Sequence, residues 1–216
     1  LRVLVVTAVP AERDAVTRAF GDTPGSSGEY EVIAAGVGPA AAAAGAATAL
    51  ARAPYDLVVS AGIGGGFHAP PGALLVADAI VAADLGAETP EGFVPVTGLG
   101  FGTVEHRPPA SLVRAVADAT AATTGTVLTV STVTGTAGRA AALLAAHPGA
   151  VAEAMEGFGV AEAAVQAGLP VLEIRAVSNA VGPRDRDAWR IGDALAALTG
   201  AFAKLPPVLE GWTDTI

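Results

Sequence analysis

The chain alternates apolar runs with stretches of helical period, and the alternation repeats along most of its length. Arg2 to Thr7 is a Val-rich run with no polar alternation, the pattern of a strand buried on both faces. Pro10 then suits the first turn of a helix running to about Phe20. Gly21 to Gly28 reads as a turn-rich loop, and Glu31 to Ala35 as a second strand. Gly36-Val37-Gly38-Pro39 connects it to an Ala-rich helix, Ala40 to Arg52, whose small side chains allow close approach to a sheet or another subunit. Leu57 to Ser60 is a third strand, closed by the turn Ala61-Gly62-Ile63-Gly64-Gly65-Gly66-Phe67. Leu74 to Ala82 is a fourth. Asp84 to Gly102 reads as a loop with a hairpin of Phe93–Val96 against Thr97–Phe101.

Further on, Pro108-Pro109 precedes a helix to about Thr120, Val127 to Val130 is a fifth strand, and Ala137 to Ala146 is a short helix. Val151-Ala152 adds a brief strand before a helix from Met155 to Ala167. Gly168-Leu169-Pro170 breaks that helix, and Val171 to Val177 is the next strand. The last helix, Ala188 to Lys204, is stopped by Pro206-Pro207. Strands alternating with helices predict one α/β domain over residues 1–216, a three-layer sandwich around a mixed, mostly parallel sheet. The segment from Leu74 to Phe101, with no helix, predicts an antiparallel excursion. Polar residues crowd the end of the strand Val171–Val177, where open parallel sheets bind ligands. The stretch from Glu153 to Ala194 therefore organises the reading.

Composition narrows the function classes. With 52% apolar and 15% charged residues, the chain is built to fill a core rather than to stay disordered. A net charge of −9, with no basic cluster, argues against nucleic acid and anionic membrane as partners. The Ala-rich helix carries Arg52 and is too mildly apolar for a membrane span. No signal-peptide order of basic then apolar residues opens the chain, so the expectation is a cytoplasmic protein. There are no cysteines, and His68, His106 and His147 lack ligand spacing, so neither a metal nor a cofactor is expected.

Candidate chemistry is carried by a few positions. The run Gly62 to Gly66 follows a strand, but Pro70-Pro71 stand where a dinucleotide-binding helix would run, and no Lys-Ser/Thr pair completes a phosphate loop. It is either a tight turn or the floor of a sugar or anion site. Glu12, Glu153 and Glu156 each suit a helix N-terminus, where an acid is favourable in any case. Ser178 and Asn179 close the strand Val171–Val177. Arg184 to Asp187 read as a solvated helix entry capped by Asp185 or Asp187, or as a recognition site for an anion. Arg175, flanked by apolar residues, predicts a buried ion pair with Glu173 or Glu153.

In combination these positions resemble the nucleoside phosphorylase and hydrolase superfamily, in its nucleosidase branch. The motifs are TAVPAERDAV with Glu12, AGIGGGF, EAMEGFGVAEAA with Met155 and Glu156, and RAVSNAVG with Ser178 and Asn179. The longer string RAVSNAVGPRDRDAWRIGDAL is similar to the futalosine hydrolases of menaquinone biosynthesis, which release hypoxanthine. The resemblance implies a nucleoside phosphorylase-like fold and a small-molecule nucleoside as partner, with a homodimer or higher homo-oligomer. It implies that Glu12 activates water, that Met155 lies against the ribose and that Glu156 accepts from its hydroxyls. Gly62, Ile63 and Gly64 would line the floor. Adenine-specific members carry an aspartate where this chain has Asn179; an amide suits a 6-oxopurine. The substrate's carboxyphenyl group suits an arginine such as Arg184, with Trp189 or Phe158 for the ring.

Two other readings stay open. A phosphorylase would need a cation for phosphate; Arg13 beside Glu12 is expected to point outward, and Gly62 to Gly66 carry no Ser or Arg. A non-enzymatic nucleoside sensor would not need both Glu12 and Glu156. The Ala-rich helix and the loop Leu85–Phe101 are the candidate subunit contacts.

Overall fold

A computed structural model of the chain describes residues 1–21 and 30–212. The elements run β1 (Val3–Thr7), α1 (Pro10–Phe20), β2 (Tyr30–Ala34), α2 (Pro39–Leu50), β3 (Leu57–Gly66) and β4 (Leu74–Ala82). A hairpin follows, β5 (Gly86–Thr89) and β6 (Gly92–Pro95), then the short β7 (Glu105–His106) and α3 (Ala110–Thr120). The rest is β8 (Thr123–Thr129), α4 (Ala137–Ala146), β9 (Ala150–Ala154), α5 (Gly157–Gln166), β10 (Val171–Ala180), α6 (Ile191–Phe202) and α7 (Leu205–Gly211). The loop expected over Gly21 to Gly28 lies, past Gly21, outside the described residues.

The main sheet has the order β10-β4-β8-β9-β3-β1-β2, with β7 beside β4. It is mixed as expected: β4 runs antiparallel to β10, and β9 antiparallel to β3. Because β10 also pairs with β3, the strands β3, β10, β4, β8 and β9 close into a ring from which β1 and β2 extend. Alternate residues of β1 feed two cores. Val3 and Val5 belong to one core with Val16 of α1, Leu112 of α3, Leu198 and Phe202 of α6 and Leu205 of α7. Leu4 and Val6 belong to a second core with Ala42 and Ala46 of α2 and Val160 and Ala164 of α5. Full burial of a Val, Leu or Phe side chain is worth about 1.5–3 kcal/mol. The Ala-rich α2 uses its small face inside the chain. At Gly159 of α5 an added Cβ would lie 2.0 Å from the Pro39 carbonyl oxygen, so the two helices touch at the backbone.

Several elements differ from the sequence reading. The glycine run is not a turn: Gly62 to Gly66 are the second half of β3, and none of its glycines has positive φ. Glycine is needed there because other groups occupy the space of a side chain. The hairpin lies earlier, and Val96–Leu99 is a 3-10 turn rather than a strand. The helix expected to stop before Pro206-Pro207 does stop, at Phe202, but the two prolines then sit in the first turn of a further helix, α7, where missing N–H groups cost nothing. Glu153, expected one turn ahead of the helix at Met155, is on β9, and Glu156 occupies the N-cap position of α5 without a side-chain capping bond. Strand β10 continues through Ser178 and Asn179.

Candidate active site

The site lies at a split in the sheet. One edge of β3 runs along β10 from Val58 to Gly66. Its other edge pairs with β1 only up to Ser60, and with β9 only at Gly65 and Gly66. Residues 61–64 therefore face an opening between β1 and β9. A cavity of about 350 Å³ occupies it, lined by Glu12, Ile63, Gly64, Met155, Glu156, Ser178, Asn179 and Trp189 of the expected set. Glu153, Thr134, Val37 and Val133 join the lining without having been assigned to a ligand site from the sequence.

Glu12 is only 4% exposed, in the first turn of α1. Its Oε2 accepts from the backbone N–H of Ala8 (2.9 Å) and Val9 (3.3 Å), and its Oε1 from that of Ile63 (2.9 Å). The last bond fills the place in the opening where a strand neighbour would accept. A carboxylate has about four lone-pair sites; three are filled, so about one is left for a water. Gly62 is required beneath it. An added Cβ there would lie 2.7 Å from both Glu12 Oε1 and Arg175 Nη1.

Glu156 has two partners. Oε1 accepts from the Gly38 N–H at the start of α2 (3.2 Å), and Oε2 from Arg175 Nη1 (3.3 Å). About two acceptor sites remain, which is what a vicinal diol needs.

Arg175 joins these groups from below. Its guanidinium is fully buried, gives Nε to Glu173 (2.8 Å), Nη1 to Glu156, and Nη2 to Ser60 Oγ (3.1 Å). The expected ion pair with Glu173 is present; Glu153 is not its partner. Burial alone would lower the Arg175 pKa, but Glu173, Glu156 and Glu12 outweigh it and the net shift is upward. Glu173 moves upward too, because burial outweighs the attraction of Arg175. The two shifts pull opposite ways on one pair. Arg175 stays charged, since guanidinium does not deprotonate in proteins. The desolvation falls on Glu173, whose Oε2 has no hydrogen-bond partner.

Asn179, half-buried, has its amide orientation defined by two contacts. Ser178 Oγ lies 2.8 Å from Oδ1, and Nδ2 donates to the Ala180 carbonyl at 3.0 Å. A flipped amide would set oxygen against that carbonyl oxygen, so Nδ2 keeps this side and retains one N–H for a ligand. The hydroxyl proton of Ser178 has a second acceptor in Gly64 O (3.2 Å), across the bulge where β10 passes from Val177 to Asn179.

Three expected residues stand apart from the cavity wall. Gly62 lies under Glu12 and Arg175 rather than facing the cavity. Phe158 is buried against His106, ring centroids 5.0 Å apart. Arg184 is exposed, but its guanidinium lies over the Trp189 ring at 5.6 Å, with Arg186 at 5.9 Å, so both reach the rim through Trp189. Asp185 caps the following turn as expected, accepting from Asp187 N. Among the described residues, no Lys, Arg or His lines the cavity, no cluster of three acidic or His ligands could hold a metal, and no helix is long and apolar enough to cross a membrane. Arg13 pairs with Asp14 at the surface, outside the lining.

The wall thus presents a carboxylate with one open acceptor site, a second with two, and an amide donor. Residues 3–206 match the phosphorylase superfamily. The chain is 65% identical to the futalosine hydrolase of Streptomyces coelicolor, with 98% of each chain covered. It is 46% identical to the futalosine hydrolase of Acidothermus cellulolyticus, over 94% of this chain and 89% of that one. Its fold matches a crystal structure of S-adenosylhomocysteine nucleosidase from Streptococcus pyogenes with a TM-score of 0.82, at 18% identity, over 99% and 98% of the two chains. By sequence and fold together, the chain belongs to the phosphorylase superfamily and, within it, to the futalosine hydrolases.

Proposed function

We propose that the chain hydrolyses the N-glycosidic bond of futalosine, releasing hypoxanthine and dehypoxanthine futalosine in menaquinone biosynthesis. The observation that carries the reading is the Asn179 amide, held with an N–H toward the cavity. That single N–H is shared between N7 and O6 of a 6-oxopurine and so stabilises the charge that the leaving base acquires. An amide has no proton to transfer, so the base departs by hydrogen-bond stabilisation rather than by protonation at this residue.

Glu156 accepts from the ribose 2′- and 3′-hydroxyls with its two open sites, and its negative charge favours the cationic ribosyl transition state. Met155 packs against the sugar. Glu12 takes a proton from the attacking water with its one open site, general-base help worth about 10²–10⁴-fold. Arg175 holds Glu156 from beneath. At the rim, Trp189 stacks on the carboxyphenyl ring, and Arg184 pairs with its carboxylate.

A phosphorylase reading is disfavoured by the lining, which offers no cation to phosphate, and by Arg175, already shared among carboxylates. No cofactor enters the scheme. Exposed Leu85, Phe93, Leu99 and Phe101 around the hairpin support a homodimer or larger homo-oligomer, working in the cytoplasm. The test is product analysis. Futalosine is incubated with the protein with and without phosphate, and the products are separated by chromatography. Free hypoxanthine and a free reducing sugar are expected in both cases; a sugar 1-phosphate, or no release, would overturn the reading.

A further inference from the structure

The mechanism above leaves one buried cavity acid unused. Glu153 is only 4% exposed and lines the cavity. Its Oε1 accepts from Thr134 N (2.8 Å) and its Oε2 from Thr134 Oγ1. Two of about four lone-pair sites are filled, so about two are open. Glu153 on β9 is in register with Gly65 on β3, and Gly65 is in register with Asn179 on β10. Residues in register across adjacent strands project from the same face. Glu153 and Asn179 therefore flank a bare glycine, two strand spacings or roughly 10 Å apart. An added Cβ at Gly65 would stand 3.5 Å from Asn179 Nδ2, which places the amide on that face. One wall of this slot offers a donor, the other only acceptors.

We propose that Glu153 reads the base opposite Asn179, its carboxylate accepting the N1–H of the 6-oxopurine. This rests on the assignment of a 6-oxopurine nucleoside to the cavity. A 6-oxopurine carries a donor at N1 beside its O6 acceptor, matching an acid on one side and an amide N–H on the other. A 6-aminopurine inverts both: N1 becomes a lone pair facing the carboxylate, and the amino group faces the amide N–H. The tether from Thr134 N holds the carboxylate as an acceptor and aims it, so Glu153 and Asn179 reject the same wrong base from two sides.

The experiment compares futalosine with its 1-deaza analogue in the oxo form, in which a C–H replaces the N1–H and the ring proton moves to N3 so that O6 stays an acceptor, in wild type and in Glu153→Ala. In wild type the analogue should lose roughly 5- to 150-fold in kcat/KM, the range for leaving a buried acceptor unpaired. In Glu153→Ala the penalty for the analogue should shrink to within about 3-fold, because the acceptor is gone; the analogue's electronic effect on the leaving base is the same in both proteins and cancels when the two penalties are compared. A residue that merely tethers the Thr134 loop would lower both substrates equally in the variant and leave the analogue's penalty unchanged, which overturns the proposal. Should Glu153→Ala fail to fold, Glu153→Gln, which keeps the shape and can turn a donor to the base, takes its place; equal rates for futalosine and the analogue in wild type overturn the proposal with either variant. Failure of wild type to release hypoxanthine from futalosine overturns this proposal together with the proposed function. Release of hypoxanthine without an N1–H penalty overturns the Glu153 assignment alone.

Discussion

Replacing Asn179 by aspartate exchanges the amide NH2, with its two N–H donors, for an oxygen without changing the shape of the side chain. In the wild-type geometry Nδ2 donates to the Ala180 carbonyl at 3.0 Å, and its second N–H faces the cavity. After Asn179→Asp an oxygen stands at that place. Ionised, it meets the Ala180 oxygen as acceptor against acceptor, and it meets O6 of hypoxanthine in the same way. The 6-oxopurine loses one donor and faces an unpaired acceptor, about 1–3 kcal/mol. The 6-amino base of aminofutalosine gains an acceptor for its amino group and sheds a donor–donor clash. Two such changes of about 1.4 kcal/mol each would move the ratio of kcat/KM values roughly 100-fold toward the 6-amino substrate. The assay is base release from matched 6-oxo and 6-amino substrates, followed by chromatography in both proteins. A pH series adds a second readout. Only the protonated carboxyl can donate to N7, so the variant's rate on the amino substrate should fall as pH rises through the pKa of that carboxyl, a limb the wild type lacks. A ratio that stays within about 3-fold of wild type, with no such limb, would refute the idea that position 179 reads the base.

Glu12→Gln should lower kcat about 10²–10⁴-fold while the Kd of a non-hydrolysable substrate analogue stays within a few-fold; near-normal hydrolysis would remove Glu12 from the water-activating role. Glu156→Ala should raise KM and lower kcat together, and the penalty for a 2′-deoxyribosyl substrate should be smaller in the variant than in wild type; equal penalties would show that the hydroxyl contact is misassigned. Burial holds the Glu173 pKa above its ordinary 4.5, so the folded protein binds this proton more tightly than the unfolded chain. Stability from this group is fully present below pH 4.5 and is lost as pH rises through the raised native value. Glu173→Gln should therefore flatten the fall in stability above pH 4.5, measured by denaturant melts across pH, and unchanged slopes would contradict it.

The layered α/β class, and about half of the cavity wall, were readable from the residues because both are written locally. Val-rich β1 and β10 announce doubly buried strands, and Glu12, Met155, Glu156, Ser178 and Asn179 sit in short motifs at element boundaries. What was misread depends on partners distant in sequence. Gly62 to Gly66 look like a turn, since glycine weakens strands. Their emptiness makes sense only once Glu12, Arg175, the Glu153 carbonyl and Val181 are packed over them. Glu153 looked like an acid flanking a helix N-terminus because Val151-Ala152 is too short an apolar run to announce the five residues of β9. Its register with Asn179 is a property of three strands and of none singly. Phe158 was given to the ligand because aromatic residues near a site invite that role; its ring instead packs on His106, a partner 52 positions earlier that nothing local indicates. The pairing of β10 with both β3 and β4, which closes the ring of strands, also has no local signature.

The split edge of β3 has a mechanical meaning beyond the cavity it creates. Over residues 61–64 the ladder is interrupted on one side, and such interruptions are where sheets open first. Here the break is latched by the Glu12 carboxylate on Ile63 N–H. The amide hydrogen of Ile63 should then exchange with solvent only as often as that latch lifts, at a position that would otherwise exchange freely. The residue assigned to activate water is thus also a stitch in the seam. A change there loosens the sheet at the very crevice that admits substrate, so rate and local rigidity in this chain are lost together rather than traded against each other.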